Sequence, residues 1–138
     1  MSNDATQGPL RLSLFLLRVS LGLFLLIWSI EKLVKPEGTV RIFESFYRMD
    51  ISPEIAFALG IPQVLLSLAI VLGLYKTVTY GLGLILHAIS TISTYAQLLN
   101  PFERGNHLFL AAIPVLIAFI VIFLMRRDDT LWTVKPRK

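Results

Sequence analysis

The 138-residue chain contains no cysteine. That excludes a disulfide framework, a thiolate metal site and a CxxC redox centre, and says nothing of compartment. Its two histidines, His87 and His107, stand far apart. No His-x3-His spacing or carboxylate cluster accompanies them, so neither haem nor metal is supported. Phosphate loop, hydrolase elbow and nucleotide fingerprint are all missing. So are internal repeats and low-complexity tracts. Charge is scarce, at 16% of residues against 55% hydrophobic ones. The formal net charge is +4 and the pI is near 9.7. Nucleic acid is not the implied partner, because the cations sit between and beyond long apolar runs, as topology determinants do.

Four such runs are present, about 12–34, 55–74, 78–99 and 108–125, each close to the about 20 residues that cross a bilayer core. In lipid the backbone must satisfy its own hydrogen bonds, so these segments are expected to be helices. Short links make consecutive helices antiparallel neighbours. The expected fold is all-α: one domain over residues 1–138, an integral membrane four-helix bundle. The polar N-terminus precedes a run too long for a signal-peptide core and without a small-x-small cleavage site. It reads as a retained anchor. The first link, 35–53, places Val40, Phe43, Phe46 and Tyr47 on one helical face, away from Arg41, Glu44, Arg48 and Asp50. That predicts a short amphipathic helix on the membrane surface, with an aromatic loop as the plainer reading. Ser52-Pro53 reads as N-cap and first-turn proline of the second span. Asn106 can cap the fourth span, Pro114 is expected to kink it, and Arg126-Arg127 to stop it. Lys and Arg are richer on the side holding Arg11, Lys76, Arg126, Arg127, Lys135, Arg137 and Lys138 than on the side of Lys35, Arg41, Arg48 and Arg104. Both termini are therefore expected in the cytoplasm.

Polar residues inside the spans carry whatever chemistry there is. In the first span Arg11, Arg18, Leu25 and Lys32 recur every seven residues and share a side with Gly22 and Ser29; Glu31 points away. Arg18 cannot shed its proton and must be paired, hydrated or snorkelling. The third span shows a mostly polar stripe of Tyr80, Gly83, His87, Ser90, Thr91, Thr94 and Leu98. Measured from the ends of the apolar runs, Arg18, Ser67 and His87 all lie about 10–12 Å in from the cytoplasmic boundary, with Gln63 one turn further out. A pocket of Arg18, Gln63, Ser67, His87, Ser90 and Thr91 is expected, with an outer polar level of Glu31, Lys32, Thr94, Gln97 and His107. Each has a plainer reading. Ser and Thr in spans often only glue helices, His87 reads equally as a satisfied core histidine, and Arg18 could snorkel. Ala56 and Gly60 form a small-xxx-small pair through which a homo-oligomer could pack.

LLRVSLGLFLLIWSIEKL (16–33) resembles the first helix of DoxX-type membrane proteins, with an Arg, a Gly and a terminal Lys in this pattern. GIPQVLLSLAIVLGLYKTVTYGLGLIL (60–86) resembles their second and third helices, and NHLFLAAIPVLIAFIVIFLMRRDDTLWTV (106–134) the fourth with its Arg-Asp-rich exit. Where many relatives carry a Glu early in the second helix, this chain has Gln63. That removes a charged partner for Arg18 and speaks against a proton relay there. The resemblance implies a small four-helix protein of the inner (plasma) membrane. Some members of that family are subunits of quinone-linked sulfur-oxidising complexes, so the resemblance points to a redox-accessory subunit with membrane or peripheral redox partners, whose polar pocket could hold a quinone; no cofactor is fixed by it. A small-solute or ion permease and a ligand-free scaffold remain alternatives. An autonomous enzyme has least support, since no nucleophile–base or metal constellation is complete.

Overall fold

Among the described residues six segments are α-helix, and a π-turn and a 3-10 helix complete the secondary structure. The computed structural model describes residues 2–135; Arg137 and Lys138 of the charge count lie outside them. Among the described residues there is no strand. Helix α1 runs Ser2–Val34, its 33 residues spanning about 50 Å. It begins ten residues before the apolar run, because hydropathy marks lipid-facing residues and not helix ends. Leu10 and Leu14 of that first half already pack on the core. Pro36 opens the short helix α2, Pro36–Ile42, which continues as a π-turn, Phe43–Tyr47, and ends at Arg48 with φ 55°. The expected helix in this link is present. Val40, Phe43, Phe46 and Tyr47 are half-buried, while Arg41, Glu44 and Arg48 are exposed.

Helix α3, Pro53–Leu72, starts as read: Pro53 follows Ser52, whose Oγ accepts the Ile55 N–H at 3.4 Å. It stops at Gly73, where φ of 65° favours a residue without Cβ. Helix α4 covers Lys76–Ser93, and the expected single span 78–99 breaks at Thr94, leaving a separate turn α5, Tyr95–Leu99. Hydroxyls explain the break. Ser93 Oγ donates to the Ser90 carbonyl and Thr94 Oγ1 to the Thr91 carbonyl, in competition with the helix ladder. The last span opens as a 3-10 helix, Asn106–Ala111, before α6, Ala112–Leu124. Asn106 does not cap it; its Nδ2 donates back to the Asn100 carbonyl and pins the loop. Pro114 therefore falls in the first turn of α6, where its missing N–H breaks no ladder bond, and no mid-helix kink is needed.

Helix α1 lies along α3 at close range. A Cβ on Gly22 would stand 2.5 Å from Val71 Cγ2, and one on Gly60 would stand 2.7 Å from Leu33 Cδ2. Ser29 and Ser67 hydroxyls meet across the same seam at 3.3 Å. The small face formed by fully buried Ala56 and Gly60 is thus occupied within the chain. Helix α4 packs on α6, and Leu14, Leu21, Ile70, Tyr80, Phe119 and Ile122 form the core. Most large apolar side chains point outward, Leu16, Ile27, Leu65, Ile85 and Leu124 among them. Three helical segments are long and apolar enough to cross a membrane: Thr6–Val34, Pro53–Leu72 and Asn106–Leu124. Helix α4, diluted by its polar stripe, does not reach the same apolarity.

Candidate functional site

The polar residues expected in one pocket separate into two levels about 10 Å apart, the rise of the seven residues between Tyr80 and His87. The lower level belongs to Arg18. Its guanidinium is fully buried and pairs with Asp129 at 2.8 Å, also fully buried. Nε donates to the Val71 carbonyl at 3.1 Å, and Nη2 donates to the carbonyls of Leu131 at 3.0 Å and Trp132 at 3.4 Å. The other oxygen of Asp129 accepts the Tyr80 hydroxyl. Lys76 Nζ reaches the Asp129 carbonyl at 2.6 Å, and Val134 N–H donates to the Leu72 carbonyl. After α6 the chain therefore folds back under the bundle and seals it, with Phe15 edge-on to Trp132. Arg18 lies level with the end of α3. The equal-depth expectation fails because it took residue 12 as the inner boundary of a helix that begins at Ser2.

A guanidinium satisfied in this way has little to offer a ligand. Ser67 and Thr91 are equally committed. Ser67 donates to the Gln63 carbonyl and Thr91 to the His87 carbonyl, and both are buried. Ser67 also meets Ser29 across the α1–α3 seam, and both residues lie outside the cavity wall.

The upper level is a cavity of about 540 Å3, bounded by α1, α3, α4, α6, the α2 segment and the 3-10 turn. Gln63, His87, Ser90, Lys32 and Thr94 line it, so three of the six expected pocket residues and two of the outer set share one space. The rest of the wall is chiefly apolar and aromatic, with Phe24, Trp28, Phe46 and Phe109 prominent. His87 Nε2 lies 3.0 Å from the Ala112 carbonyl, which can only accept. Nε2 thus carries the proton in the neutral ring, leaving Nδ1 as a lone-pair acceptor. Phe24 and Phe119 hold the ring at centroid distances of 5.6 and 5.5 Å. The side chains of Gln63 and Ser90 make no hydrogen bond among the described residues, nor does His87 Nδ1. Lys32 Nζ donates only to the Trp28 carbonyl, at 3.1 Å, and no acidic residue lines the wall. Glu31 is exposed, Gln97 keeps a buried Oε1 without a partner, and exposed His107 stands edge-on to Phe102. None of those three lines the cavity.

The DoxX family model matches residues 13–97, more than half of the chain. The chain belongs to the DoxX family. No curated protein and no solved structure matches it. With its apolar helices, this DoxX chain is a membrane protein. The matched residues include Arg18, Gln63, His87, Ser90 and Thr94 but stop short of Asp129.

Sequence reading missed Asp129, the aromatic wall and Val115. The aromatics at 24, 28, 46 and 109 come from elements whose contacts no single periodicity reports. Asp129 had one signal: an arginine that must be paired, and two carboxylates directly after the basic stop of the last span.

Proposed function

We propose that this DoxX protein is a four-span bundle of the inner membrane with both termini in the cytoplasm. In this reading it is a redox-accessory subunit that holds a quinone, or a similar ring-headed amphiphile, in the upper cavity. The observation that carries the reading is the set of free polar groups in an otherwise apolar, aromatic chamber. Half-buried Gln63, exposed Ser90 and the Nδ1 of buried His87 line one cavity without a hydrogen-bond partner among the described residues, and such convergent polar groups in an apolar wall mark a place for polar ligand atoms. Lys32, Ser90 and the Gln63 amide can donate to the two carbonyls of a quinone. His87 Nδ1 and the Gln63 oxygen can accept from the hydroxyls of its reduced form. The size, about 540 Å3, suits a ring with the start of a tail. A bound quinone supplies two-electron, two-proton carrying capacity; the residues named here bind and orient it and exclude water. The α2 segment, with Ile42 and Phe46 in the cavity wall, forms the outer side of the chamber at the membrane surface.

A permease asks for a continuous polar path. The buried apolar layer of Leu21, Ile70 and Phe119 between the two levels weighs against one. The test uses Trp28, which lines the cavity, in a Trp132→Phe background where it is the remaining tryptophan. Titration with a short-chain quinone should quench it saturably. His87→Ala and Gln63→Leu should each weaken binding about fivefold, the worth of one hydrogen bond. Weak, unchanged quenching in all three proteins would end the proposal.

A further inference from the structure

A second cleft, of about 420 Å3, lies at the opposite end of the molecule between the α3–α4 turn and the end of α6. We propose that it binds the head group of an anionic phospholipid. The turn is made tight by two left-handed residues, Gly73 and Tyr75, with φ of 65° and 49°. It delivers Lys76, Thr77 and Val78 to one wall; Arg126 and Arg127 form the other. Arg126 is held in place before any ligand arrives. Its Nε donates to Thr77 Oγ1 at 3.2 Å, its Nη1 donates to the Phe123 carbonyl at 2.7 Å, and its guanidinium covers the Phe123 ring at 4.5 Å. Nη2 is left free. Arg127 is exposed and has no partner among the described residues, and Lys76 spends one N–H on the Asp129 carbonyl.

Three cations thus face the cleft. The two carboxylates that follow the arginines in the chain do not neutralise them: Asp129 is buried in its pair with Arg18, and exposed Asp128 makes no ion pair among the described residues. A phosphodiester offers one negative charge on two equivalent oxygens, which a fixed guanidinium can engage with geometric specificity. Basic pockets between spanning helices at the cytoplasmic end suit anionic head groups. The apolar surface next to the cleft favours a lipid over a soluble anion. Val78, Leu82 and Ile85 on α4, and Ile117, Val121 and Leu124 on α6, are exposed along two neighbouring helices that both lead away from the cleft. Acyl chains lying on these stripes would bring their phosphate to Arg126 and Arg127.

Native mass spectrometry of the full chain in neutral detergent tests this, with phosphatidylglycerol and phosphatidylcholine of identical acyl chains. Wild type should retain phosphatidylglycerol at least about fivefold better, and each guanidinium removed should cost up to about fivefold of that preference. The double variant R126Q/R127Q should fall close to parity, and R126K/R127K should recover part of the preference. Arg127→Gln alone disturbs no described contact, so it reads the charge effect even if loss of the Arg126–Thr77 bond weakens folding. Equal retention of the two lipids by wild type overturns the proposal. So does a preference unchanged in Arg127→Gln and the double variant. Displacement of the lipid by millimolar inorganic phosphate would mark a soluble-anion site instead and equally overturns it.

Discussion

Arg18 and Asp129 are separated by 111 positions and by the whole bundle, yet each is fully buried against the other. An unpaired charge at that place is expensive, because the guanidinium cannot be neutralised by losing its proton. Asp129→Ala should therefore lower stability by about 3–5 kcal/mol. R18M/D129L, which removes both charges and keeps volume, should recover most of that loss. Thermal or denaturant unfolding in detergent of R18M, D129L and R18M/D129L measures the cycle; additive losses would show that the pair is not coupled. The physics of an arginine in lipid made Arg18 conspicuous in the sequence. Its partner was not, because a carboxylate just after a basic stop reads as a solvated helix exit. Nothing in a linear pattern says that the chain folds back. For Gln63, His87 and Ser90 the pattern was sufficient, since positions on facing sides of neighbouring helices meet wherever depth is judged correctly. Helix α4 supplied two of them at one-turn spacing.

Among the elements, the α1–α3 seam is set by glycine. Gly22 admits the backbone of α3 at Val71 and Ser67, so a larger side chain must push the helices apart. Gly22→Leu should destabilise by about 1–3 kcal/mol, the usual cost of overpacking, with a lower melting temperature in detergent as the readout. The α2 segment contributes differently. Phe46 lines the cavity and its ring lies 5.9 Å from that of Phe109 on the 3-10 turn. Phe46→Ala should open that wall and speed ligand release more than it slows capture, as stopped-flow recovery of Trp28 fluorescence would show; an unchanged release rate would place the exit elsewhere. The start of α3 was legible because Ser52 and Pro53 are explicit start signals; its end at Gly73 was not read as a stop, and the apolar run overran it by two residues. The break of α4 at Thr94 was not. A run of Ser and Thr can serve as buried glue or take over backbone acceptors, and the sequence does not say which.

For the whole molecule, the inverted surface is the organising fact: among the described residues a narrow core of seven buried hydrophobic residues stands inside an exposed shell of Leu, Ile and Val. One end of this body is plugged by its own C-terminal segment and carries Lys76, Arg126 and Arg127. The other end holds a chamber with unpaired polar groups. If the basic end is cytoplasmic, a green fluorescent protein fused after Lys138 should fluoresce, and alkaline phosphatase at the same place should stay inactive; the reverse pattern would invert the orientation.

The chamber itself is tested most directly by asking what leaves the membrane inside it. Val115 lines the cavity from α6, so Val115→Trp fills it while leaving Arg18 and Asp129 untouched. Wild-type and V115W protein, extracted gently from native membranes and purified alike, would be stripped with organic solvent and assayed for quinones by mass spectrometry. The account predicts quinone at about one per chain with wild type, and its loss from a folded V115W. Equal trace amounts from both proteins would contradict it.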